Sequence, residues 1–127
     1  MSYPDHHNAL PIYLEASKLI RGKNPEYGVE KMELAAGLGY APAMCMLGAM
    51  YYYGFAGLPR DYDHAFRLFG AAAKQDHEDA MNYLGICYLE GLGTEKNYEE
   101  AVFWFRKAAV LGNIHAQDNL LQLGERW

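Results

Sequence analysis

Two cysteines, Cys45 and Cys87, five histidines and one dense acidic group are the residues of this 127-residue chain best suited to nucleophilic, metal or redox chemistry. A thiol beside an imidazole would give a nucleophile, two adjacent thiols a disulfide, and clustered imidazoles and carboxylates a metal centre. The histidines His6, His7, His64, His77 and His115 show neither a HExxH pair nor a Cys-His metal spacing. Asp61, Asp63 and His64 form the densest group of potential ligands, but they stand where a helix starts, and capping and the helix dipole favour Asp there. Asp5, His6 and His7 read as a frayed terminus more readily than as a surface metal site. Cys45, Cys87 and Ser17 fall mid-helix, without the loop context of a catalytic nucleophile. Gly91-Leu92-Gly93 lacks the Gly-Lys-Ser and strand context of a phosphate loop. No catalytic residue, metal or cofactor is expected, so the chain does not read as an enzyme.

The elements that position these residues follow from a repeat. Gly28, Val29, Met32, Ala35 and Ala36 match Ala65, Phe66, Phe69, Ala72 and Ala73, and then Ala101, Val102, Phe105, Ala108 and Ala109. The offsets describe one buried face of a helix, recurring after 37 residues and again after 36. Between them, Ala43, Leu47, Gly48, Tyr51 and Gly54 match Ala80, Leu84, Gly85, Tyr88 and Gly91, and the pattern restarts at Ala116 and Leu120. The unit is therefore a helix, a glycine-containing loop and a second helix. The chain parses as seven helices over 9–21, 26–37, 41–53, 62–74, 78–90, 98–111 and 114–124.

Asn8 before Pro11, Pro42, Asp61 and Asn97 supply start signals, while Gly22, Gly54, Gly91 and Gly112 supply stops. Small residues at Gly48, Gly85, Ala65, Ala101, Ala72 and Ala108 would let antiparallel helices approach closely. Leu47, Leu84, Tyr51, Tyr88, Phe69 and Phe105 would fill the layer between them. Cys45 and Cys87 occupy different places in the unit. An axial offset of roughly 7 Å, added to a helix separation of about 8–10 Å, exceeds the ~7 Å Cα reach of a disulfide. Both are read as free thiols.

Composition narrows the partners. Half of the chain is apolar, 51%, and 21% is charged, as expected of one folded domain. The net charge of -5, with scattered basic residues, would repel phosphate backbones and anionic lipid surfaces. Residues 1–10 lack a basic and apolar secretory signal, and no eighteen-residue apolar stretch occurs, so a cytoplasmic protein with no membrane span is expected.

The run Ala80 to Gly93, followed by Tyr98 to Gly112, resembles a full Sel-one-like repeat (SLR), a cousin of the tetratricopeptide repeat, and residues 43–76 resemble a second. The first unit has a loop about five residues shorter, and at the other end Leu121 stands for the expected Gly and Gly124 for the expected Tyr. The resemblance implies an all-α fold: an α/α superhelix, or solenoid, of about three repeats plus a capping helix. One domain, 1–127, would divide into a degenerate repeat (1–39), two repeats (40–76 and 77–112) and a cap (113–127).

The resemblance further implies a right-handed superhelix whose concave face binds another protein. By register that face would carry Tyr13, Ser17 and Ile20, then Cys45, Ala49, Tyr52 and Tyr53, then Asn82, Ile86, Leu89 and Glu90, and finally Asp118 and Gln122. Tyr52 and Tyr53 are open to two readings, groove anchor or packing. The implied role is an adaptor with a protein partner of unknown identity. The alternatives are an immunity or inhibitor protein that neutralises a basic toxin or enzyme and, behind it, a metal or small-ligand enzyme. Self-association through Leu10, Tyr13, Leu123 and Trp127 is a further expectation.

Overall fold

A computed structural model of the chain describes residues 6–127. Seven α-helices follow one another: α1 (His6–Arg21), α2 (Pro25–Gly37), α3 (Ala41–Tyr53), α4 (Tyr62–Ala73), α5 (Glu78–Glu90), α6 (Tyr98–Val110) and α7 (Ile114–Gln122). Among the described residues no strand forms. Each helix packs on the next, most extensively within the hairpins α1/α2, α3/α4 and α5/α6. The candidate terminal metal site at Asp5, His6 and His7 lies outside the described side chains.

Punctuation decides where the helices stop. Asp61 Oδ1 accepts from the His64 backbone N–H at 3.0 Å, and Asn97 Oδ1 accepts from Glu100 N–H at 3.1 Å, so both cap the helices they precede. Gly54 and Gly91 close α3 and α5 in the left-handed conformation, with φ of 70° and 74°. Two ends depart from expectation. Among the described residues helix α1 runs from His6 through Pro11, so Asn8 lies inside the helix. Helix α7 ends at Gln122 because Gly124, at φ 75°, turns the chain back: Gly124 N–H donates to Leu121 O at 3.0 Å and Glu125 N–H to Leu120 O at 2.8 Å.

The core forms two clusters. One, from α1 to α3, gathers Ala16, Met32, Ala35, Ala36, Ala43 and Leu47. The other runs from α3 to α7 around Phe69, Met81, Leu84, Phe105 and Leu120. Met44 and Tyr51 pack against both and join them.

Close helix approach depends on glycine. A Cβ on Gly48 would lie 2.8 Å from Phe69 Cε1, and one on Gly85 would lie 2.6 Å from Phe105 Cε1. Gly93, in the α5–α6 loop, presses on the neighbouring hairpin, where a Cβ would collide with the Tyr62 backbone oxygen and reach Phe66 Cβ at 2.8 Å. Tyr51 and Tyr88 pack against the core as expected but are only half-buried. Tyr51 stacks on His64 at 4.1 Å and Tyr88 meets Phe66 edge-on at 5.4 Å.

Candidate functional site

The odd-numbered helices contribute the side chains of one continuous groove of about 620 Å³. Tyr13 comes from α1; Pro42, Cys45, Met46, Ala49 and Tyr53 from α3; Asp79, Asn82, Tyr83 and Ile86 from α5; and His115, Asp118 and Asn119 from α7, with His77 at the α5 N-cap. The helical period explains the pattern: Cys45, Ala49 and Tyr53 are spaced by four, as are Asn82 and Ile86, so each set forms a stripe on one face.

Of the side chains placed on this face by register, Tyr13, Cys45, Ala49, Tyr53, Asn82, Ile86 and Asp118 line the groove. Six do not. Ile20 and Tyr52 turn into packing: Ile20 fills the α1/α2 seam against Gly28, and Tyr52 meets Tyr62, Phe69 and Tyr83 edge-on. Ser17 Oγ donates back to Tyr13 O at 3.0 Å. Leu89 is half-buried against the larger core cluster, and Glu90 is exposed at the end of α5. Gln122 Nε2 donates to Asp118 Oδ2 at 3.1 Å. Tyr53 is the groove tyrosine of the pair; Tyr52 is the packing one.

Sequence reasoning missed Pro42, Met46, His77, Asp79, Tyr83, His115 and Asn119. One signal was available: Asn119 lies 37 residues beyond Asn82, one repeat period, and its Nδ2 donates to Asn82 Oδ1 at 2.8 Å. Tyr83 stacks on Phe69 with ring centroids 4.5 Å apart, and its hydroxyl lies 3.5 Å from that of Tyr53.

The electrostatics of the groove are acidic. Asp79 and Asp118 carry the charge, and no lysine or arginine is among its lining residues. Asp79 Oδ1 accepts from Asn113 Nδ2 at 2.8 Å, while Asn113 Oδ1 caps α7 by accepting from Ala116 N–H at 2.9 Å. Burial holds the His77 imidazole below its ordinary pKa, with Asp79 and Glu78 opposing. Cys45 and Cys87 are free, buried thiols, and burial pushes both up to about 12. Neither is a thiolate at neutral pH. The Asp61, Asp63 and His64 group is dispersed into capping and ring stacking, and among the described residues no cluster of three metal-ligating side chains forms.

A second hollow, about 820 Å³, lies between α6 and the C-terminal tail. There Arg106 pairs with Glu125 at 2.9 Å and donates from Nε to Arg126 O at 2.6 Å, while the Tyr98 hydroxyl donates to Glu125 Oε2 at 2.7 Å. Of the residues expected to offer a sticky end, Leu10 and Trp127 are exposed, but Leu123 packs on the core and Tyr13 lines the groove. Among the described residues no helix is long and apolar enough to cross a membrane.

Comparison with known proteins gives the architecture a family. The Sel1 repeat model matches residues 41–77 and 78–113. A chitin synthase regulator of Malassezia restricta is 34% identical over 94 residues, which is 72% of this chain and 6% of that protein. The DAP3-binding cell death enhancer 1 of Rattus norvegicus is 35% identical over 96 residues, 75% of this chain and 18% of its own. The chain thus spans less than a fifth of either relative. The crystal structure of a Sel1 repeat protein from Oxalobacter formigenes superposes with a TM-score of 0.82 at 31% identity, covering 90% of this chain and 48% of that one.

Proposed function

The chain belongs to the Sel1 repeat family, and we propose that it is a protein-binding module that holds a segment of a partner in the groove formed by α1, α3, α5 and α7. The observation that carries this reading is the groove itself. Its lining joins apolar and aromatic surface at Tyr13, Ala49, Tyr53 and Ile86 to polar groups at Asn82, Asn119 and Asp79, the mixture that protein interfaces use. Two relatives of known role support it by name, one a regulator of a synthase and the other a binding protein. An adaptor role agrees with the burial of Cys45 and Cys87, which pushes both thiols up to about 12 and keeps them protonated at neutral pH.

The test is a quantitative pull-down from the native cell with the wild-type chain and a Tyr53→Ala, Ile86→Ala double variant. Both residues line the groove while leaving the fully buried core intact. Truncating aromatic and aliphatic anchors should weaken the partner at least ~10-fold with circular dichroism near native. Retention of every wild-type partner by the variant would remove the groove from the function. A second reading, an inhibitor of a basic toxin or enzyme, draws on the acidic lining. Rescue from toxicity on co-expression with a neighbouring gene product separates it from the adaptor.

A further inference from the structure

We propose that the occupant of the groove is an extended peptide segment bearing a lysine or arginine, whose main chain is held by Asn82 and Asn119 and whose cation is held by Asp79 and Asp118. This rests on the groove reading above and adds the chemistry of the partner.

Asn82 is 9% exposed and lines the groove. Its Oδ1 accepts from Asn119 Nδ2, and among the described residues the Asn82 amide nitrogen has no protein acceptor and Asn119 Oδ1 no protein donor. Reversing both amides changes which residue offers which group, yet the pair still presents one donor nitrogen and one acceptor oxygen to the groove. A buried donor left unmatched is costly, so a ligand that satisfies it is favoured over one that does not. An extended peptide presents one C=O and one N–H per residue along its main chain. The asparagine pair is the complement of that pattern and reads no side chain.

Charge supplies the second preference. Each carboxylate already accepts one bond from a neighbouring amide, Asp79 from Asn113 and Asp118 from Gln122, which fixes its orientation and leaves further lone pairs for a cation. They stand on adjacent odd helices, α5 and α7, with no lining lysine or arginine to compete. His77, held toward its neutral form by burial, does not cancel them at neutral pH. The Tyr53 and Tyr83 rings, on the same surface, give the stem of a long basic side chain something to lie on.

Selection from a display library of random eight-residue peptides against the full chain tests this. Enriched peptides should share one lysine or arginine at a fixed position, and replacing it with glutamate should cost binding roughly 10-fold or more. Asp79→Asn with Asp118→Asn should abolish that charge preference, so that the basic peptide and its glutamate replacement bind within about 2-fold of each other. N-methylation scanned along one enriched peptide should identify a single position whose methylation costs roughly 10-fold. That penalty should disappear in Asn119→Ala, a coupling that a purely structural asparagine would not show.

Enrichment of acidic or uncharged peptides, no enrichment at all, or no N-methyl-sensitive position would overturn the proposal. So would a concentration-dependent dimer in sedimentation that excludes peptide, since the occupant would then be a second copy of this chain. Competition with the Tyr53→Ala, Ile86→Ala variant separates the two levels. Peptides that bind this variant as well as wild type sink the groove itself, whereas peptides that need the groove but carry no basic residue sink only the chemistry proposed here.

Discussion

The hairpin α1/α2 and the two hairpins that match the Sel1 repeat close their helices by different means. In α3/α4 and α5/α6 the glycine stands on the first helix, and the close partner is a phenylalanine ring on the second: Gly48 against Phe69 and Gly85 against Phe105. In α1/α2 the glycine stands on the second helix. A Cβ on Gly28 would lie 2.7 Å from Ile20 Cγ1, 2.8 Å from the Ile20 nitrogen and 3.0 Å from the Ala16 oxygen. Met32 takes the place of the phenylalanines. The same pairing is thus reached with ring-on-backbone contact in the repeats and backbone-on-backbone contact in the first hairpin. A ring can shift by rotating; a backbone atom cannot move without its helix.

The largest expected effect probes the aromatic side of this difference. Phe105 is fully buried, so Phe105→Ala should cost about 3–5 kcal/mol in urea unfolding. Met32→Ala in the first hairpin, equally buried but more adaptable in shape, should cost toward the lower end of about 2–5 kcal/mol. Equal losses would mean that the two kinds of hairpin differ in geometry and not in energy.

Next comes the glycine side. Gly85→Leu should cost about 1–3 kcal/mol by overpacking. The sharper measurement is a pair of double-mutant cycles. Gly85→Ala should be relieved by Phe105→Leu, because the ring is the obstacle. Gly28→Ala should be relieved far less by Ile20→Val, because the Ile20 nitrogen and Ala16 oxygen remain in place. Equal relief in both cycles would break the distinction between ring and backbone contact.

The helix starts differ as well. Asn97 caps α6 through its side chain, whereas Asn24, at the same place before α2, makes no side-chain cap bond, and Pro25 opens that helix without an N–H to satisfy. Asn97→Ala should cost about 1 kcal/mol in thermal unfolding, and Asn24→Ala should stay within about 0.5 kcal/mol of wild type.

The repeats were legible in the sequence because their punctuation is local: Pro42, Gly54 and Gly91 fix α3 and α5, whose observed bounds are the expected ones. The ends were less legible because the deciding interactions are not periodic. Pro11 is tolerated inside α1, and α7 is stopped by bonds from Gly124 and Glu125 that no repeat position announces. For the groove, register found the stripe Cys45, Ala49 and Tyr53, left Tyr52 open between groove and packing, and put Leu89 on that face although its side chain packs on the core. Asn119 was missed because the period alternates between 36 and 37, and a one-residue slip on a helix turns a side chain by about 100°. That slip picks Asp118, and both residues line the groove.

The smallest expected effect concerns the N-caps of α3, α5 and α7, which are Tyr40, His77 and Asn113. Of the three, only Asn113 caps with its side chain and only His77 carries an imidazole, so this pH term sits at the junction between the two repeats. Burial lowers the folded-state pKa of His77 below its ordinary value of 6.5. Between those two values the unfolded chain holds the proton and the folded chain does not. The His77 contribution is therefore fully present above pH 6.5 and is lost as the pH falls through the depressed folded value. Thermal unfolding followed from pH 7.5 to 5 should show a drop in midpoint that His77→Gln reduces, with the remaining histidines as internal background. If His77→Gln leaves the slope unchanged, the imidazole is as free to charge in the fold as outside it, and the junction between the repeats carries no pH sensitivity of its own.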